Sequence, residues 1–204
     1  MNLPDHPPVA AVLWDCDGVL QHGINGALQK LTSLVGREML PTLLAEEQPA
    51  LRGEEPLRAA ITRMIDRLGL RVPVPEVLSV WDDYELDRDA LSILRAVRAG
   101  GTGCYLATNQ QDYRRDRMRS EYDNLVDGSF YSCEMGVAKP DPAFFRHVVT
   151  ALALPANALL FVDDSAPNVV AARSQGLRAE LIEPEPVAPQ LQQLLAEHRV
   201  AFAT

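Results

Sequence analysis

Five short apolar runs separated by stretches of helical spacing constrain this chain to an open α/β sheet. The first, Ala11-Val12-Leu13-Trp14, is continuous and lies between a proline-rich start and Gly18, the pattern of a strand buried on both faces. Further strands are predicted over residues 103–108, 128–131, 158–162 and 178–182. Helical spacing follows over 89–99, 113–122, 166–175 and 190–198. A further helix opens on Asp141 as N-cap with Pro142 at N1 and runs to about 152. Glu183 to Pro189 is a proline-rich linker. Alternating strands and helices predict a Rossmann-like α/β fold, a parallel sheet with helices on both faces.

One region breaks the alternation. From Gln21 to Asp83 no strand pattern is visible, and apolar residues recur at helical spacing over 27–34, 38–45, 57–68 and 75–80. Gly36, Pro41, Pro49, Gly53 and the Gly69 to Pro73 segment punctuate these helices. The expected organisation is a core from residues 1–22 and 84–204, with a small α-helical insertion, 23–83, over the carboxyl edge of the first strand. A chain of 204 residues suits one domain with a modest insertion.

The formal net charge of −9 argues against nucleic acid as the main partner. Arg114, Arg115, Arg117 and Arg119 alternate with acids and read as a solvated helix face. The first eight residues lack a secretory pattern, and the apolar runs fall far short of the roughly 20 residues that span a bilayer. Cys16, Cys104 and Cys133 are scattered and lack metal-type spacing, so reduced thiols in a cytoplasmic protein are expected.

The chemistry gathers where the strands end. In an open parallel sheet ligands bind outside the carboxyl ends of the strands. Asp15 and Asp17 follow the first strand, on one face by the two-residue period, while Cys16 and Trp14 point to the other and read as packing. Two carboxylates so placed need a positive neighbour, and a hard oxygen-loving cation such as Mg²⁺ answers that need. Thr108-Asn109 ends the second strand, Lys139 precedes Pro140 before a helix, and Asp163-Asp164 ends the fourth. Asn109 can touch phosphate or shape its loop. His22 reads as a hinge residue and Arg52 as a solvated loop arginine.

These segments resemble the four motifs of the haloacid dehalogenase superfamily of phosphohydrolases. They are Asp15-Cys16-Asp17-Gly18, Thr108 after its strand, Lys139-Pro140-Asp141-Pro142, and Asp163-Asp164-Ser165. The resemblance implies that the insertion is a cap over a catalytic core and that Asp15 is a nucleophile forming an aspartyl phosphate. It implies that Asp17 protonates the leaving oxygen and later activates water. Thr108, with Asn109, would bind phosphate oxygens, and Lys139 would offset the charge of Asp15 and of the phosphate. Mg²⁺ would be held by Asp15, the Asp17 backbone carbonyl and Asp164, with Asp163 direct or through water.

The implied function is Mg²⁺-dependent hydrolysis of a small phosphate monoester, with a small phosphorylated metabolite as partner and sugar phosphates favoured. A sugar phosphomutase could use the same residues. A haloacid dehalogenase fits less well, since it needs no second aspartate. A non-catalytic binding module would be free to lose Asp15, Asp17 or Lys139, and all three are present.

Overall fold

The first strand, β1 (Ala11–Trp14), is buried along its whole length because it is the central strand of the sheet. The computed structural model describes residues 7–184 and 186–203, so most of the N-terminal segment read above as lacking a secretory pattern lies outside the described residues. After β1 come β2 (Gln21–His22), four helices, α1 (Ile24–Val35), α2 (Leu40–Leu51), α3 (Leu57–Leu68) and α4 (Val74–Leu78), and then β3 (Glu85–Leu86). Helix α5 (Arg88–Ala99), β4 (Gly103–Thr108), α6 (Asp112–Tyr122), β5 (Gly128–Tyr131) and the short α7 (Ser132–Met135) follow. The chain continues with α8 (Pro142–Leu152), β6 (Leu159–Asp163), α9 (Ala166–Ser174), β7 (Arg178–Leu181) and α10 (Val187–Glu197).

The main sheet has the order β5-β4-β1-β6-β7, with all its pairs parallel. The chain leaves β1 for β4 and β5 on one side, then crosses to β6 and β7 on the other. The switch point therefore lies at β1, between the ends of β4 and β6, where a parallel sheet opens a crevice. The strand period sorts the core. Val12, Trp14 and Cys16 pack with α5, α6 and α10, whereas Ala11 and Leu13 pack with α8 and α9. Helices thus cover both faces, as the alternation predicts.

The segment between β2 and β3 has a core of its own, including Leu31, Leu43, Leu57, Ile61, Met64 and Val77. Its entry and exit are joined, because β2 and β3 pair antiparallel, Gln21 with Leu86 and His22 with Glu85. This two-strand ladder corrects the expectation of no strand from Gln21 onward. Two residues are too few for an alternating pattern to register. Tethers to the core occur further along. Asp112 of α6 accepts a hydrogen bond from the Leu57 N–H at the start of α3 (2.8 Å), and Tyr113 donates to Asp82 (3.0 Å).

Two helix boundaries also need correction. Helix α2 runs from Leu40 through Pro41 and Pro49. Pro41 sits in the first turn, where no N–H is needed. Pro49 falls in the last turn, where burial of Leu43 and Ala50 holds the helix together. Helix α10 likewise begins at Val187, inside the expected linker, with Pro189 in its first turn.

The hinge is fixed by Asp87. Its carboxylate caps α5 by accepting from the Asp89 and Ala90 N–H groups (3.0 and 2.9 Å) and lies 2.8 Å from His22 Nε2. Burial alone would raise this carboxyl, but the Ala90 N–H and His22 outweigh it and hold it below its ordinary range. Asp87→Ala should cost about 1 kcal/mol at neutral pH from the lost cap alone, measured by urea denaturation. A depressed carboxyl stabilises the fold above its unfolded pKa and loses that effect as the pH falls through the folded value. The difference between wild type and variant should therefore shrink in acid.

Candidate active site

Asp15 follows β1 at the switch point and is almost wholly buried. Its Oδ1 lies 2.9 Å from Lys139 Nζ. The same ammonium is 2.6 Å from Asp163 Oδ2 and donates to the Ala107 carbonyl at 2.8 Å. Burial pulls this ammonium down, but Asp15 and Asp163 leave it above its ordinary range, so it stays charged. Burial pushes the Asp15 carboxyl upward. Lys139 opposes that shift, while Asp163 and Asp17 add to it.

Asp163 ends β6 and is completely buried. Besides Lys139, its oxygens accept from the Ser165 N–H (2.7 Å) and from Asn168 Nδ2 (3.0 and 3.1 Å). Asp164 is exposed, and its carboxyl is raised by burial of its surroundings and by Asp163. Ligand oxygens of Asp15, Asp163 and Asp164 lie within 4.8 Å of one another. Gly18 makes room for this group. A Cβ there would stand 2.1 Å from the Asp164 carboxylate, and its φ of +79° already favours glycine.

These residues fit a divalent cation. Three carboxylates face one ammonium, an excess of two negative charges, and the donors are all hard oxygens. Asp163 is filled by its own partners, whereas Asp164 is open.

The Asp17 side chain lies outside the trio. Arg114 grips it with two terminal nitrogens, Nη2 to Oδ1 at 2.6 Å and Nη1 to Oδ2 at 3.1 Å. Gln21 and Gln110 donate to the same carboxylate at 3.0 and 2.8 Å. Arg114 is buried, with its guanidinium 4.7 Å from the Tyr84 ring centre, and Tyr122 donates to Gln21 at 3.0 Å. This corrects the reading of the arginine run as a solvated face. Arg115, Arg117 and Arg119 do make surface pairs, but Arg114 turns inward. The signal was present, since Arg114, Met118 and Tyr122 share one face at four-residue spacing and all three are buried. Gln21 gave no signal at all.

Thr108 is buried at the end of β4, and its hydroxyl accepts from Gln110 at 3.2 Å. The Asn109 amide clasps the Lys139 backbone, donating to its carbonyl and accepting from its N–H, both at 2.8 Å. Asn109 thereby shapes the loop that carries Lys139. His22 sits at the hinge on Asp87, and Arg52 pairs with Glu54 at the surface. Cys16 is buried in the core.

A family model described as haloacid dehalogenase-like hydrolase matches residues 9–176, from two residues before β1 to just past α9. The chain belongs to the haloacid dehalogenase-like hydrolases. Among curated proteins it is 37% identical over 94 residues to the sesquiterpene phosphatase AstK of Aspergillus oryzae, covering 45% of this chain and 47% of the relative. The chain spans less than half the length of the curated relatives it matches. Among solved structures, a HAD family enzyme of Bacteroides thetaiotaomicron in complex with magnesium superposes with a TM-score of 0.82 at 17% identity, over 92% of this chain and 100% of that one. A dehalogenase superposes with a TM-score of 0.68 at 18% identity, over 96% and 98%. At such identities the likeness is one of fold. Among the described residues no helix is long and apolar enough to cross a membrane.

Lys139 holds two buried carboxylates at once, so its removal leaves them facing each other. Lys139→Met should destabilise the fold by roughly 3–5 kcal/mol, the cost of breaking a buried pair. A urea denaturation midpoint within error of wild type would contradict this account.

Proposed function

We propose that this HAD-like hydrolase is a Mg²⁺-dependent phosphatase that acts on a small phosphate monoester through an aspartyl phosphate. The observation that carries the reading is the buried Asp15 carboxylate at the sheet's switch point, 2.9 Å from Lys139 and within an oxygen cluster suited to a divalent cation. Asp15 and Asp164 would hold Mg²⁺, with the Asp17 backbone carbonyl and Asp163 directly or through water. When bound, the ion would shield the carboxylate from the phosphate it attacks and stabilise charge on the phosphoryl oxygens.

Asp15 then attacks phosphorus, and Lys139 orients its carboxylate and opposes the upward shift that burial imposes on it. Thr108 and neighbouring backbone N–H groups bind phosphate oxygens. Asp17 delivers the proton to the leaving oxygen and takes one from the water that hydrolyses the intermediate. To do so its carboxylate must exchange partners, since four N–H donors now hold it. Arg114 and Gln110 keep it from folding back toward the trio until the substrate arrives. Residues 23–83 act as the cap over a core of 1–22 and 84–204, excluding water from the attack.

The acidic chain suits a small metabolite better than a polymer. A HAD family enzyme of B. thetaiotaomicron that shares this fold has been solved with magnesium and inorganic phosphate together, which supports the ligand pair. Sugar phosphates enter a substrate screen as the class the sequence resemblance favours, and terpenoid phosphates as the class in a relative's name. Time courses with and without a bisphosphorylated sugar separate a phosphatase from a phosphomutase. Halide release from a haloacid tests the dehalogenase reading.

Asp15→Asn should abolish phosphate release while leaving the fold intact, and chelation should stop the wild type until Mg²⁺ is returned. More than a few per cent of activity in a clean, folded variant would remove Asp15 as nucleophile. Asp17→Asn should lose roughly 10²- to 10⁴-fold on an alkyl phosphate, whose alkoxide needs a proton, and much less on an activated aryl phosphate. Equal losses on the two esters would remove Asp17 from proton transfer.

A further inference from the structure

Next to Asp17 a cavity of about 200 Å³ opens between the helical segment and the sheet edge. Asp17, Asn109, Gln110 and Arg114 form its core side. Its walls on the helical segment are Leu31, Leu44, Leu51, Val80 and Trp81. Leu31 and Val80 belong to the packed core of that segment, and Trp81 packs against it. Leu44 is 41% exposed at the mouth.

Most polar groups of the lining are already engaged, and Arg114 Nε, which has no partner, is itself buried away from the cavity surface. Arg114 and Gln110 donate to Asp17, the Asn109 amide is closed on Lys139, and Trp81 Nε1 donates to Glu47 at 2.7 Å. What remains for a ligand is acceptor oxygen on Glu47 and Asp83, beside an apolar surface. A sugar presents hydroxyls around its whole ring. Inside this cavity most of them would lose water without gaining a partner, which disfavours binding. An apolar group loses nothing there and gains by its own burial.

We propose that this cavity takes the alcohol part of the substrate and that the substrate is the monophosphate of an apolar alcohol, a chain or ring, rather than a sugar phosphate. The proposal rests on the phosphatase reading above and narrows it. The size is matched by proportion: an apolar cavity of roughly 150 Å³ takes up benzene, so this one accommodates about eight carbons.

The test is a homologous series of n-alkyl monophosphates from two to ten carbons, assayed with Mg²⁺ beside glucose 6-phosphate and an aryl phosphate. kcat/KM should rise about fourfold per methylene, the factor expected for burying one CH₂, and level off near eight carbons. Glucose 6-phosphate should fall at least tenfold below octyl phosphate. A flat series, or glucose 6-phosphate equal to octyl phosphate, overturns the proposal. Leu44→Gln, a change at an exposed helix position, should lower the octyl-to-ethyl ratio of kcat/KM about tenfold, and an unchanged ratio removes this cavity as the site.

Binding of the matching n-alkylphosphonates, measured by calorimetry with Mg²⁺ present, separates the two levels. Affinity that climbs with chain length while no ester is hydrolysed, the aryl phosphate included, overturns the phosphatase reading and leaves the apolar pocket standing. Aryl phosphate hydrolysis with chain-length-independent binding does the reverse.

Discussion

A single buried ammonium organises the site. Lys139 lies between Asp15, just after β1, and Asp163, at the end of the neighbouring β6, and donates to a carbonyl of β4 as well. Three strands of the sheet are thus tied at their carboxyl ends by one side chain. Charge repulsion between acids from neighbouring strands would otherwise splay those ends. The ammonium offsets only part of the charge of the three acids, which leaves the trio suited to a dication. Asn109 extends the same logic outward, since its amide fixes the backbone from which Lys139 projects.

A second, separate balance holds Asp17. Its charge is met by Arg114, which itself rests on the face of Tyr84 at the exit of the helical segment. The two aspartates of one motif therefore have different counter-charges, a lysine for the first and an arginine for the second. This division keeps Asp17 out of the metal cluster even though it points to the same side of the strand. It also couples Asp17, through Arg114, to Tyr84 at the end of the helical segment.

The main sheet was legible in the sequence because parallel strands buried on both faces leave continuous apolar runs, and Ala11–Trp14 and Leu159–Asp163 are of that kind. The residues after those strands were legible too, since strand ends in a parallel sheet converge by topology alone. Helix edges at Pro41 and Pro189 were misread because proline is tolerated in a first turn, whereas Pro49 lies inside α2, where burial of Leu43 and Ala50 offsets its local cost. Arg114 and Gln21 were hidden for another reason. Arg114 shares its spacing with Met118 and Tyr122, but its partner Asp17 is distant in sequence and its three neighbouring arginines make surface pairs, while Gln21 is a lone polar residue with no pattern around it. The apolar cavity was equally invisible, since Leu31, Leu44 and Val80 are indistinguishable in sequence from residues that merely fill the segment's own core.

The short ladder between β2 and β3 has a further consequence for how the chain is assembled. Because His22 faces Glu85, the helical segment begins and ends at neighbouring points about one strand spacing apart, roughly 5 Å. For the sheet, the long excursion between them behaves as a single closed loop. Its closure entropy grows only slowly with length. The helices can therefore lengthen, shorten or be exchanged for another compact unit with adjacent ends, while β1, β4 and β6 keep their register. Such an arrangement would let the surface proposed to meet the alcohol vary independently of the strands proposed to hold the phosphate.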